Sequence, residues 1–339
     1  MSWELRLCKN TVNANGDFWT FAFWTQKWLD IEVVIPCIIL GHGYSWINSF
    51  HIYSFALVSG YIFAFKIMRG GYHEYLPFVR SKVKRLLVPY VFVMLVWVAP
   101  ISACFFNWNL SYLAKKYLLA IDPSQLWFLW MLFGVFAIVW PMRKVLLEKP
   151  LAGWAIALGF YGIGIIGRRV IPNVFCIWTA CQYVLFFFVG MRIRAKEEKR
   201  ERLIIDALPW YCWIIVDLLL FAGMMIVGQK SGTVWSLTAI VLNLILHVVG
   251  AVMAWTTLQA LANKINWKNN KAFKALSSYS MPMYLFHQQI IYFTIIWLNG
   301  KVNPWINAGV NFAAALIGSF LISSILMSLK TTRFLIGEK

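Results

Sequence analysis

The 339 residues are 61% hydrophobic and only 13% charged, with a mean hydropathy of +0.67. That is more apolar surface than one soluble core can bury, which excludes a soluble globular enzyme and implies several membrane spans. Lys and Arg outnumber Asp and Glu by 31 to 13, a formal charge of +18. These cations lie between apolar runs and form no exposed basic domain, so they speak for membrane topology and against a nucleic-acid partner.

The first 27 residues carry Glu4, Arg6, Lys9 and Asp17 and have no apolar stretch ahead of a small-residue cleavage site. They read as a cytoplasmic segment, 1–27, and not as a secretory signal peptide. Spans of about 20 apolar residues are expected near 28–47, 50–68, 86–106, 124–141, 151–167, 173–191, 209–227, 234–258, 276–298 and 304–329. The expected fold is therefore an all-α membrane protein of about ten transmembrane helices. One transmembrane domain covers 28–329, a tail covers 330–339, and the longest connections, 69–85, 192–208 and 259–275, are short charged loops.

Charge sets the orientation. The N-terminus, the connections after the second, fourth, sixth and eighth spans, and the C-terminus hold 25 of the 31 Lys and Arg residues. Lys115, Lys116, Arg168, Arg169, Lys230 and Lys301 are the remainder, on the other side. Cytoplasmic loops retain positive charge, so the N- and C-termini are both expected to be cytoplasmic.

Against this apolar background the titratable side chains stand out. His42 comes late in the first span, roughly 21 Å along it at about 1.5 Å per residue, in the outer half of the membrane. His51 opens the second span across a short outer turn. Two imidazoles around one tight hairpin form the natural centre for proton transfer, His51 either orienting His42, contacting an acceptor or sitting at the interface. Asp217, in WIIVDLLLF, is the acid placed well inside a later span, a candidate proton relay or histidine partner. His247, in the middle of the eighth span, reads as a packed polar residue. His287 lies in the ninth.

Arg80, Lys82, Lys84 and Arg85 crowd the cytoplasmic entry to the third span, where they suit either an anionic ligand or simple topogenic charge. Trp127 and Phe128 follow Ser124 and Gln125 at the outer mouth of the fourth span, placed to stack on a sugar face or to anchor at the interface. Arg168 and Arg169 are cations on the side that carries few, where an anionic or sugar-diphosphate acceptor would meet them. Ser59 and Gly60 favour close helix packing. The six cysteines, Cys8, Cys37, Cys104, Cys176, Cys181 and Cys212, mostly occupy apolar runs without metal-site spacing, so no metal is expected.

Taken in order, several stretches resemble the acyltransferase type 3 family of integral membrane enzymes. They are ILGH ending at His42, SFH running into SGYIF, VRSKVKRLLVPY from Val79 to Tyr90, LWFLWMLF from Leu126 to Phe133, YVLFFFVGM from Tyr183 to Met191, and SSYSMPMYLFH from Ser277 to His287. The resemblance spans nearly the whole chain, and the order of the motifs gives it weight. It implies an O-acyltransferase that takes acetyl-CoA from the cytoplasm as acyl donor and acetylates a carbohydrate hydroxyl at the outer face, on surface polysaccharide or a lipid-linked glycan. His42 matches the family's essential histidine and would act as general base or transient acyl carrier; Arg80, Lys82, Lys84 and Arg85 would clamp the donor phosphates; His287 falls on a family landmark. The family usually has an arginine about eleven residues before the histidine, whereas this chain has Ile31, with Lys27, Asp30 and Glu32 as the nearby charges able to replace it. The implied location is a bacterial inner membrane, with lipid and glycan as partners. A polysaccharide exporter without transferase activity is the alternative from another class, although no internal duplication supports it. Transfer of a longer acyl group, or transfer to a lipid or peptide, is a third reading.

Overall fold

The computed structural model describes residues 45–105, 109–201, 204–264, 271–298 and 300–338. Lys27, Ile31, His42 and nearly all of the expected first span lie outside the described residues. Every described element is helical, with no strand among the described residues. An apolar chain in lipid has this as its simplest solution, because a helix satisfies its own backbone polar groups.

The longer elements are α1 (His51–Met68), α2 (Tyr75–Phe105), α4 (Trp127–Glu148), α5 (Pro150–Val170), α6 (Ile177–Glu198), α7 (Trp210–Gly228), α8 (Thr233–Lys264), α9 (Lys271–Leu298) and α10 (Pro304–Ser328). Short helices α3 (Leu110–Leu113) and α11 (Lys330–Leu335) complete the set. Among the described residues eight helices are long and apolar enough to cross a membrane: α1, α2, α4, α5, α6, α7, α8 and α10. They coincide with eight of the expected spans. The expected span at 276–298 is present as α9, but His287, Gln288 and Gln289 in its middle make it less apolar than the others.

The charged connections differ from expectation. α2 begins at Tyr75, so Arg80 to Arg85 belong to its first turns and not to a loop; α6 likewise continues to Glu198 and α8 to Lys264. Lys, Arg and Glu are good helix formers, and their long stems reach from a helix back to the interface. Charge therefore marks where the membrane ends, not where the helix ends.

Prolines shape α2. Pro89 and Pro100 have no N–H for the carbonyls of Arg85 and Val96 four residues earlier. The helix widens into π turns over those stretches, Val83–Leu87 and Met94–Val98. Such turns are a common way to absorb a disrupted hydrogen-bond ladder.

α6 is the centre of the bundle. Its span is 72% buried, against 6% for α7 and 11% for α10, which face outward. α1, α4 and α5 pack on α6, α8 packs on α1, α7 on α8, and α10 on α9. The α1–α6 crossing is the tightest. A Cβ at Gly60 would lie 1.9 Å from the Phe187 carbonyl oxygen, and one at Gly190 would lie 1.9 Å from that of Leu57. Backbones approach this closely in lipid only where side chains are missing, which gives Gly60 the packing role expected of it.

Candidate functional site

The bundle has two chemically distinct ends. At the basic end α1 stops and α2 starts. At the other, α1 starts at His51 and α4 at Trp127. α1 has 18 residues, so the ends stand about 27 Å apart at roughly 1.5 Å per residue.

Rings gather at the histidine end. His247 of α8 stacks on Tyr53 of α1, centroids 4.0 Å apart. Tyr53 stacks in turn on Tyr183 of α6 at 5.0 Å, and Tyr183 lies 6.0 Å from Trp127 of α4. The adjacent Phe128 is 5.5 Å from Tyr284 of α9, whose ring is 5.7 Å from His287. A continuous band of aromatic and imidazole rings thus links His247 to His287 across five helices. Arg168, exposed in the last turn of α5, is within electrostatic range of Tyr53 and Tyr183. Arg169 beside it is also exposed.

Two histidines share one local geometry. His51 Nδ1 lies 3.1 Å from the Ile47 carbonyl, and His287 Nδ1 lies 2.7 Å from that of Tyr284. A carbonyl only accepts, so Nδ1 carries the hydrogen, and in the neutral ring Nε2 keeps a lone pair. That is the tautomer a general base requires.

Two loops under backbone strain hold Trp127 in place. Ala120, Asp122, Ser124, Phe175 and Cys176 all have φ between 48° and 60°. The left-handed region costs a residue with a side chain roughly 1–2 kcal/mol. The loops are tied together by the Phe175 N–H donating to the Leu119 carbonyl (2.9 Å) and by Cys176 Sγ donating to that of Ala120 (3.4 Å). Beyond them Gln125 and Gln289, 5% and 2% exposed, form a reciprocal amide pair. Gln125 Nε2 also donates to the Leu285 carbonyl (3.2 Å), and Tyr284 donates its hydroxyl to the Gln125 carbonyl. This clasp fixes α9, and with it His287, beside the start of α4 and Trp127.

Asp217 is 0% exposed. Its Oδ2 accepts from Trp46 Nε1 at 2.7 Å, while its Oδ1 has no hydrogen-bond partner. Gly250 of α8 makes room for it, since a Cβ there would be 2.9 Å from Oδ1. Among the described residues the carboxylate pairs with this indole and not with a histidine. It nonetheless reaches the turn that leads into α1.

At the basic end Arg80, Lys84 and Arg85 are exposed. Lys82 turns inward, its Nζ 3.8 Å from the centroid of Phe136 and 5.3 Å from those of Tyr72 and Phe78. These faces stabilise the ammonium through their quadrupoles. Among the described residues, no group of three or more His, Cys, Asp and Glu side chains is arranged to hold a metal ion.

The structure therefore links Trp127 to His287 through the rings of Phe128 and Tyr284, puts His51 and Arg168 at the same end, and sets the four cations of α2 at the opposite end. The sequence marks His247 as a packed polar residue, to which the structure adds its stack on Tyr53; it does not single out Tyr53, Tyr183 or the Gln125–Gln289 pair. An ionisable or amide side chain mid-span is itself a signal, available for His247 and Gln289; Tyr53 and Tyr183 are lost among many aromatics.

Fold and side chains together define an integral membrane protein with titratable groups gathered inside an apolar helical bundle. The family model for the acyltransferase domain matches residues 13–327, nearly the whole chain, and the protein belongs to that acyltransferase type 3 family. It is a membrane acyltransferase. No curated protein and no solved structure matches the chain.

Proposed function

We propose that the protein transfers an acetyl group from acetyl-CoA, bound at the basic end, to a carbohydrate hydroxyl at the histidine end. One observation carries this reading: exposed cations gather at one end of the bundle, and a band of aromatic and imidazole rings at the other. Arg80, Lys84 and Arg85, with Lys82 behind them, suit the donor's phosphates, and Lys27 takes the role of the family arginine that Ile31 replaces. Trp127, Tyr53 and Tyr183 offer flat apolar faces for a sugar ring, and Arg168 and Arg169 meet a phosphate on a lipid-linked acceptor.

In this mechanism His42 removes the proton from the acceptor hydroxyl as it attacks the thioester carbonyl, or first takes the acetyl group itself. CoA leaves as the thiol after protonation. His51 and His287, each with Nδ1–H held by a carbonyl, have Nε2 available to pass that proton on. Asp217 holds Trp46, just ahead of α1. The same reading has ten spans, cytoplasmic termini and a bacterial inner membrane, with surface polysaccharide or a lipid-linked glycan as acceptor.

The test is transfer of radiolabelled acetyl groups from acetyl-CoA into glycan by membranes containing the intact protein or His42→Ala at matched levels. Label incorporated by the intact protein and lost in the variant supports the proposal. No label from either, with glycan reaching the cell exterior only when the protein is present, refutes it in favour of an exporter.

A further inference from the structure

The family match ends at residue 327, and the tail just beyond it packs against the basic end of α2. At Leu329 the backbone becomes extended (φ −105°, ψ 138°), and α11 turns away from α10. Arg333 fixes this turn by donating from Nε (3.1 Å) and Nη2 (2.7 Å) to the Met327 carbonyl. Thr332 Oγ1 donates to the carbonyls of Leu326 and Leu329. Ile336 is then 0% exposed and part of the main apolar core.

Gly337 follows with φ +82°, and a Cβ there would lie 2.6 Å from the Arg85 carbonyl oxygen and 2.7 Å from Pro89 Cγ. Both conformation and space therefore require glycine. The Arg85 carbonyl is the one that Pro89 deprives of its α-helical donor, and it lies in the π turn Val83–Leu87. The tail thus seats on the irregular point of α2, from which the exposed Lys84 and Arg85 side chains project.

We propose that α11, Ile336 and Gly337 form a latch that holds this π turn in shape and so directs Lys84 and Arg85 toward the acyl donor. The inference rests on reading the basic stretch of α2 as the donor site. Ile336 and Gly337 are positioning residues, since they touch the core and the α2 backbone and act on the donor only through the cations above them.

The experiment is binding of CoA to the full-length protein in lipid nanodiscs, by isothermal titration. It compares the intact chain, Gly337→Val, a chain stopped after Leu329, the double variant Lys84→Ala/Arg85→Ala, and that double variant combined with Gly337→Val. Gly337→Val and the shortened chain should each bind about tenfold more weakly, the scale of one misplaced charge-assisted hydrogen bond. With Lys84 and Arg85 already removed, Gly337→Val should cost little more, because residues acting through one another are not additive. If the intact protein binds CoA and both tail variants bind it equally well, the latch is refuted and the donor site stands. Additive losses in the combined variant also refute the latch, because the tail would then act on stability in general. Absence of CoA binding by the intact protein would sink the donor site and the latch together.

Discussion

The Gln125–Gln289 clasp gives a sharp prediction, because breaking it from one side should cost more than removing it. Gln125→Leu takes away the reciprocal amide bonds and the bond to the Leu285 carbonyl, and leaves the Gln289 amide, 2% exposed, without its partner in the turn ahead of α4. A stranded buried polar group costs about 1–3 kcal/mol. With both a donor and an acceptor stranded on Gln289, the single variant should lose about 2–4 kcal/mol, whereas Gln289→Leu leaves Gln125 Nε2 on the Leu285 carbonyl, strands only the Gln125 amide oxygen and should lose about 1–3 kcal/mol. The double Leu variant strands nothing and should return to within about 1 kcal/mol of the parent. The assay is denaturant unfolding of the purified protein in mixed micelles for all four chains. Acetyl transfer should stay low in the double variant, since Trp127 and His287 lose their shared support while stability recovers. Losses that simply add in the double variant would refute the clasp.

Further substitutions test other parts of the account. Gly60→Ala and Gly190→Ala each put a methyl 1.9 Å from a carbonyl oxygen, so each should destabilise by about 1–3 kcal/mol in the same unfolding assay. The pair should be less than additive, because both act at one crossing. Asp217→Asn keeps an acceptor for the Trp46 indole and should fold like the parent, whereas Asp217→Leu strands that indole and should cost about 1–3 kcal/mol; equal stability of the two would remove the proposed pin. Lys82→Met keeps favourable contacts with the rings of Phe136, Tyr72 and Phe78 and should change stability by less than about 1 kcal/mol. CoA affinity by isothermal titration should fall about tenfold in that variant, and unchanged affinity would exclude Lys82 from the donor site.

Much of the architecture is legible in one dimension. Apolar runs of membrane length are a local property, so eight expected spans reappear as helices long and apolar enough to cross a bilayer. The ends of those helices are not legible, because Arg80 to Arg85 and Arg192 to Glu198 continue the helix while leaving the apolar zone. Single polar residues such as His51, Asp217 and His287 are visible because lipid makes them costly. What they meet is another matter. Hydropathy marks a residue as facing inward without naming its partner, and Gln125 and Gln289 stand 164 positions apart. The stack of His247 on Tyr53 depends in the same way on α8 packing against α1, which no local pattern in either helix announces. Gly60 is the intermediate case: its small size suggests close packing, but the Phe187 carbonyl it accommodates emerges only from the crossing with α6.

The most direct test of the central claim, that donor and acceptor occupy opposite ends of one bundle, uses sealed membrane vesicles of known orientation. Radiolabelled acetyl-CoA is either trapped inside right-side-out vesicles or added to the medium, and label is measured in glycan that external glycosidases can release. The account predicts label from trapped donor, none from added donor, and none from either with His42→Ala. Label that appears only when the donor is added outside would contradict it.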